Sequence, residues 1–184
     1  MRGALALILG LMRASDTTWD ALRSDAMQGR TLMQCVVLPL SALTALAWAT
    51  GTAFMPLVAG TEPAFEGTFV RTFLLCMAAI GLLAVGLAVP LPLYRRERAW
   101  RHALLLASAS AVPMLLCGVL LFYPRAVLGM VPAALHAACL IYSGSQRLLG
   151  VESADAAEYS AVTMLLTLFL TMGFGALVAR LGLA

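Results

Sequence analysis

The chain has 184 residues, 62% of them hydrophobic and 11% charged, with a net charge of +3. A soluble domain averages about 45–50% apolar and about 25% charged residues, so this composition excludes an ordinary soluble protein and calls for a bilayer. The 12 basic side chains are all arginine, and they are clustered. Clustering of this kind reads as membrane topology rather than nucleic-acid binding, and no nucleic-acid partner is expected.

Residues 1–13 hold an apolar run, Ala4 to Met12, far short of the ~20 residues needed to cross a bilayer. A cleaved signal peptide would need small residues where Arg13 and Asp16 stand. The stretch is therefore expected to be retained as a helix lying at the membrane surface. Ser15, Asp16 or Thr17 can cap a juxtamembrane helix through Trp19, Leu22 and Met27, with Trp19 expected at the interface. Residues 1–30 form this N-terminal region and residues 31–184 the transmembrane domain.

Five spans are predicted, at about 31–54, 68–93, 100–123, 126–142 and 160–181, giving an all-α polytopic bundle preceded by the short interfacial helices. Pro39 should kink the first span, whose Ser41, Ala45 and Ala49 form a small-residue stripe. Gly81 and Gly86 thin the second span, which ends at Pro90-Leu91-Pro92. In the third, Ser108 and Ser110 can bond to backbone freed by Pro113. The fourth carries Pro132, His136 and Cys139, and Ser143–Leu148 extends it into the headgroups. The fifth, led in by a short helix capped at Ser153, is expected to pack through Gly173, Gly175 and Ala179.

Between the second and third spans stands Tyr94-Arg95-Arg96-Glu97-Arg98-Ala99-Trp100-Arg101-His102. At the centre of a spanning helix each arginine would cost about 2.5–3.5 kcal/mol, so this is a loop in water. With five spans, Arg2, Arg13, Arg23, Arg30, Arg95, Arg96, Arg98, Arg101 and Arg147 fall on one side, against Arg71, Arg125 and Arg180 on the other. The bias predicts an inner-membrane protein with a cytoplasmic N-terminus and the C-terminus opposite. Arg95, Arg96, Arg98 and Arg101, with Tyr94 and Trp100 as interface pegs, are the candidate surface for anionic lipid or an acidic partner.

His136 is the ionisable group placed at mid-depth, where such residues are functional candidates. With Ser108, Ser110 and Pro113 it could line a transported substrate's site. With Cys139 it forms His-x-x-Cys on one helix face, a weak metal or haem candidate. Cys35, Cys76, Cys117 and Cys139 lie in separate apolar segments without a CxxC pair, which argues against a disulfide framework or a zinc ribbon. No nucleophile–base set, phosphate loop or facing carboxylate pair appears, so no enzyme and no cofactor are expected. Glu152, Asp155 and Glu158 read as a solvated face.

Three stretches together resemble the YIP family, five-span membrane proteins whose founding members interact with Ypt/Rab GTPases. They are Thr18-Trp19-Asp20-Ala21-Leu22, Ala107-Ser108-Ala109-Ser110-Ala111-Val112-Pro113, and Ile141 to Val151 followed by Ala156-Ala157-Glu158-Tyr159-Ser160. The short N-terminal region resembles the compact bacterial branch, so the Rab partnership is not implied. The resemblance implies a non-enzymatic membrane protein acting through helix packing, lipid contact or assembly with a protein partner or its own copies. A small-molecule or ion transporter with a site near His136 is the first alternative. A metal- or haem-binding redox protein using His136 and Cys139 is the second.

Overall fold

The structure is a computed structural model and describes residues 2–13, 16–24, 26–54, 65–97, 99–122 and 128–180. Among these every regular element is helical, as hydrocarbon requires of a chain that must pair its backbone groups internally. In order they are α1 (Arg2–Met12), α2 (Asp16–Ser24), α3 (Ala26–Thr31), a π-helical segment (Leu32–Val37), α4 (Leu38–Phe54), α5 (Phe65–Ala88), a 3-10 turn (Leu91–Tyr94), α6 (Trp100–Gly118) with a 3-10 extension (Val119–Phe122), α7 (Met130–Leu148) and α8 (Ala156–Arg180).

Four stretches are long and apolar enough to cross a membrane: Gly29–Gly51, Phe65–Tyr94, Trp100–Gly118 and Ala156–Val178. The chain is thus a helical membrane protein. Helix α7 is not among the four. It runs from Met130 through the expected extension Ser143–Leu148, while residues 126 and 127 of the expected stretch lie outside the described residues.

Helix α6 is the axis of the bundle. Some 61% of its apolar window is buried, against 6% for α8. Its buried face is built of small residues, Ala103, Ala107, Ser108, Ala109 and Ser110, which let neighbouring backbones come close. Helix α4 packs beside it, with its stripe Ser41, Ala45 and Ala49 all buried. There Thr44 Oγ1 donates to the Leu115 carbonyl at 3.0 Å, and Gly118 leaves the room Thr44 occupies. Helix α7 lies antiparallel to α6: Cys117 Sγ donates to the Gly129 carbonyl at one end (3.4 Å), and Gly144 faces Leu106 at the other.

The three prolines behave differently. Pro39 has no N–H to give the Cys35 carbonyl, and the six residues before Leu38 widen into a π-helix in which Leu38 N–H reaches Met33 O, five residues back. Pro113 sits inside α6 and leaves the Ala109 carbonyl without its helical donor. Pro132 is the third residue of α7, where no intrahelical donor is needed, so it interrupts nothing.

Two packing expectations are corrected. Trp19 is not displayed at an interface; it is fully buried, its ring 3.1 Å from where a Cβ at Gly144 would stand. Helix α8 does not pack through Gly173 and Gly175, which have no neighbour within 4 Å of a built Cβ. It packs near its start, where Thr163 and Thr167 meet Gly86 of α5, while Gly81 stays open. Nor is α8 preceded by a separate short helix: Ser153–Asp155 is a turn, and Tyr159 N–H already bonds to the Asp155 carbonyl at 2.8 Å.

Filling the α5–α8 crossing with Gly86→Leu should lower the thermal midpoint in detergent, in line with the roughly 1–3 kcal/mol that overpacking costs. The same change at Gly173 should not lower it. Equal losses at both positions would contradict this placement of the α8 contact.

Candidate functional site

The arginine loop and the loop after α7 meet at one end of the bundle. The approach to the first is fixed by prolines: Pro90 and Pro92 stop α5 and leave one 3-10 turn. That turn closes with Arg95 in the left-handed region (φ 57°). Arg95 N–H bonds to Pro92 O and Arg96 N–H to Leu91 O, each at 3.2 Å. This is the Schellman pattern, here with an arginine where glycine is usual. Helix α7 ends at Gly150 (φ 70°), with the N–H groups of Leu149 and Val151 both turned back to Ser145 O at 3.2 Å.

Side chains then join the two turns. The Arg96 guanidinium lies beside Gly150, its Cζ 3.8 Å from a built Cβ, and reaches Glu152 at 4.0 Å. Both partners are exposed, 43% and 76%, so the pair guides geometry more than it stabilises. Tyr94 donates to Glu158 Oε1 at 3.3 Å and meets Tyr159 edge-on, ring centroids 5.3 Å apart at 86°. Tyr159 is fully buried and its hydroxyl donates to the Leu87 carbonyl. It thereby satisfies one of the terminal carbonyls of α5 and ties α8 to it.

The N-terminal helices reach the same end. Arg23, in the last turn of α2, donates from Nη1 to the Arg147 carbonyl at 3.2 Å. A cation at the C-terminus of α7 is favoured by the helix dipole. Leu11, Trp19 and Leu22 join one buried cluster with Leu106 and Leu140.

The residues singled out in the sequence divide into three groups. Arg95, Arg96 and Arg101 are exposed, and so are Trp100 (50%) and the neighbouring Leu93 (79%). Tyr94 is half-buried and turned toward Tyr159 and Glu158 rather than outward. Arg98 lies outside the described residues. Ser108 and Ser110 are buried, but neither bonds to the carbonyl freed by Pro113. Ser108 Oγ donates to Met33 Sδ (3.5 Å) and Ser110 Oγ to Ala107 O (3.1 Å). His136 is partly buried and its Nε2 has no hydrogen-bond partner. Cys139, one turn on, is exposed. Among the described residues no group of three or more His, Cys, Asp and Glu could hold a metal ion.

Sequence reasoning passed over Glu152, Glu158 and Tyr159 as partners of the arginine loop, because they lie more than fifty residues away in the chain. It also passed over Arg23, whose bond to the Arg147 carbonyl spans 124 residues of chain.

Compared with models of known protein families, with curated proteins and with solved structures, the chain matches none of them.

Two substitutions probe the junction. Tyr159→Phe removes a buried hydroxyl that caps α5 and should cost about 0.5–1.5 kcal/mol. Gly150→Ala places a side chain in the left-handed region, at a cost of roughly 1–2 kcal/mol. Both should lower the thermal midpoint in detergent. A midpoint unchanged in both would argue that the junction is not formed.

Proposed function

We propose that the chain is a non-enzymatic, five-span inner-membrane protein of YIP-like layout. Its cytoplasmic arginine end makes the working contacts, with anionic lipid or with a protein partner. The observation that carries this reading is the gathering of three separate parts of the chain at one end: the α2 terminus, residues 94–102 and residues 147–158. Each brings arginine. Leu93 and Trp100 stand exposed beside the guanidinium groups, the pairing of apolar pegs and cations that suits a headgroup layer.

The fifth crossing is α7. It runs beside α6 from Gly129 to Gly144, so a bilayer that holds α6 also surrounds α7. The polar residues that lower its hydropathy cluster at the arginine end, where headgroups would meet them. An odd number of crossings places the C-terminus outside, and α1 and α2 then lie against the inner face as interfacial and juxtamembrane helices. Two of the stretches that carry the YIP resemblance meet in space: Trp19 of the first lies against Gly144 of the third, beside Leu106, which precedes the second, and Tyr159 ties the third to α5. This contiguity supports treating them as one functional unit.

One observation favours a second reading as a small-molecule or ion transporter. The antiparallel register sets His136 level with Pro113. A buried, unpartnered imidazole nitrogen then shares its depth with a backbone carbonyl that lacks its helical donor.

Two tests separate the readings. Replacing Arg95, Arg96 and Arg98 together by Gln should reduce the share of anionic lipid that co-purifies around the protein; an unchanged lipid profile would leave these residues as topology anchors only. In reconstituted vesicles, solute flux abolished by His136→Ala would favour the transporter. Flux that is absent, or indifferent to that change, would count against it.

A further inference from the structure

Two gaps in the hydrogen bonding of the interior face each other across the α6–α7 interface, and two contacts bracket them. Toward one end Leu106 of α6 lies against Gly144 of α7. Toward the other, Cys117 Sγ donates to the Gly129 carbonyl at 3.4 Å. On α6, Pro113 stands seven residues after Leu106 and four before Cys117, so it shares the face that both present to α7. On α7, His136 stands seven residues after Gly129, two turns along the face turned to Cys117, and eight before Gly144. Helical register therefore sets the imidazole opposite the proline, between the two contacts.

Each side of this contact leaves a polar group incomplete. Pro113 has no N–H, so the Ala109 carbonyl, which opens along α6 toward position 113, lacks its helical donor. The two serines of α6 do not replace it: Ser110 Oγ donates to the Ala107 carbonyl at 3.1 Å and Ser108 Oγ to Met33 Sδ at 3.5 Å. Ala109 and Pro113 are both buried. Across the interface His136 Nε2 is buried with no hydrogen-bond partner among the described residues. A buried polar atom left unpaired is costly in hydrocarbon. Two such atoms on facing helices are what a single bridging molecule satisfies, as internal waters do.

We propose that the α6–α7 interface at Pro113 and His136 binds one small neutral hydroxyl compound, water or a short alcohol. Its O–H donates to the Ala109 carbonyl and the same hydroxyl group pairs with His136 Nε2. The inference deepens the transporter reading by naming the class of ligand, and it rests on that reading's placement of His136 level with Pro113. A carbonyl only accepts, so the ligand must donate. The imidazole nitrogen accepts in one neutral tautomer and donates in the other, and a hydroxyl group answers either. Neither Ala103–Gly118 nor Met130–Gln146 contains Asp, Glu, Lys or Arg, so a bound ion would have no counter-charge on these helices. The contacts at Gly129 and Gly144 hold the two helices close, which restricts the ligand to a small molecule.

The test is solid-state NMR of the full-length protein, with 15N-labelled histidine, in phosphatidylcholine vesicles. The chain has 2 histidines, and His136→Phe identifies the signal that belongs to position 136. Magnetisation transfer from a bound hydroxyl compound to the His136 imidazole is expected, with water and glycerol as the probes. Pro113→Ala supplies the N–H that closes the bond to Ala109 and so removes one of the ligand's two partners. It should abolish the transfer to His136 and leave the signals of His102 unchanged, while the thermal midpoint in detergent holds or rises. Loss of the contact in a fold of equal or greater stability is a result that misfolding cannot imitate. Transfer from water that persists in excess glycerol would identify water as the ligand. Its replacement by transfer from the carbon-bound protons of glycerol would identify an alcohol. No transfer to His136 from either probe in the wild-type protein would overturn the site, and so would transfer undiminished in Pro113→Ala. Transfer without solute flux in the same vesicles would keep the site and remove the transporter reading.

Discussion

Trp19 occupies the space that any side chain at position 144 would fill, and the relation between these two residues organises one end of the molecule. An aromatic ring with no exposed surface contributes roughly 1.5–3 kcal/mol from burial. Glycine at 144 is what admits the ring and lets it hold α2 against α7. Arg23 then adds its own anchor by donating to the Arg147 carbonyl at the end of α7.

In hydrocarbon an unpaired carbonyl has no water to turn to, and the chain resolves each proline in a different way. Pro39 is accommodated by lengthening the preceding backbone bonds into a π-helical turn. Pro132 falls where the helix needs no donor. Pro113 alone remains as a gap in the most enclosed helix, and the serines beside it are engaged elsewhere. His136 at the same level makes that depth the least resolved part of the interior. That is why a transport reading attaches there rather than to the proline count.

Four long apolar helices were legible because hydropathy and length decide them: Gly29–Gly51, Phe65–Tyr94, Trp100–Gly118 and Ala156–Val178 overlap the stretches expected at 31–54, 68–93, 100–123 and 160–181. Helix α7 continues past its apolar stretch to Leu148, the end its Ser143–Leu148 extension was read to reach. Trp19 was misread because a tryptophan before a span has two homes, the headgroup layer and a notch in the protein; only the glycine 125 residues later distinguishes them. The small residues misled in the opposite sense. Ser41, Ala45 and Ala49 do pack, whereas Gly173 and Gly175 face open space. A small-residue stripe permits close approach, but another helix must be present to use it. The junction of Tyr94, Tyr159 and Glu158 was invisible for a further reason: each residue is ordinary locally, and the contact exists only once α5 and α8 are side by side.

The distribution of these contacts says where a site can be built. Helix α8 is held by Tyr159 on the Leu87 carbonyl and by Thr163 and Thr167 against Gly86. Two turns further its glycines have no neighbour and Phe169, Met172 and Leu177 are exposed. Among the described residues of α1 and α2, Leu7, Leu11, Trp19 and Leu22 are buried in one cluster with Leu106, Leu140 and Tyr159. Preorganised recognition needs side chains whose supports cannot shift. Arg95 and Arg96 ride on a single 3-10 turn and an exposed ion pair, so on the proposed reading they suit a fluctuating headgroup layer rather than one ligand of fixed shape.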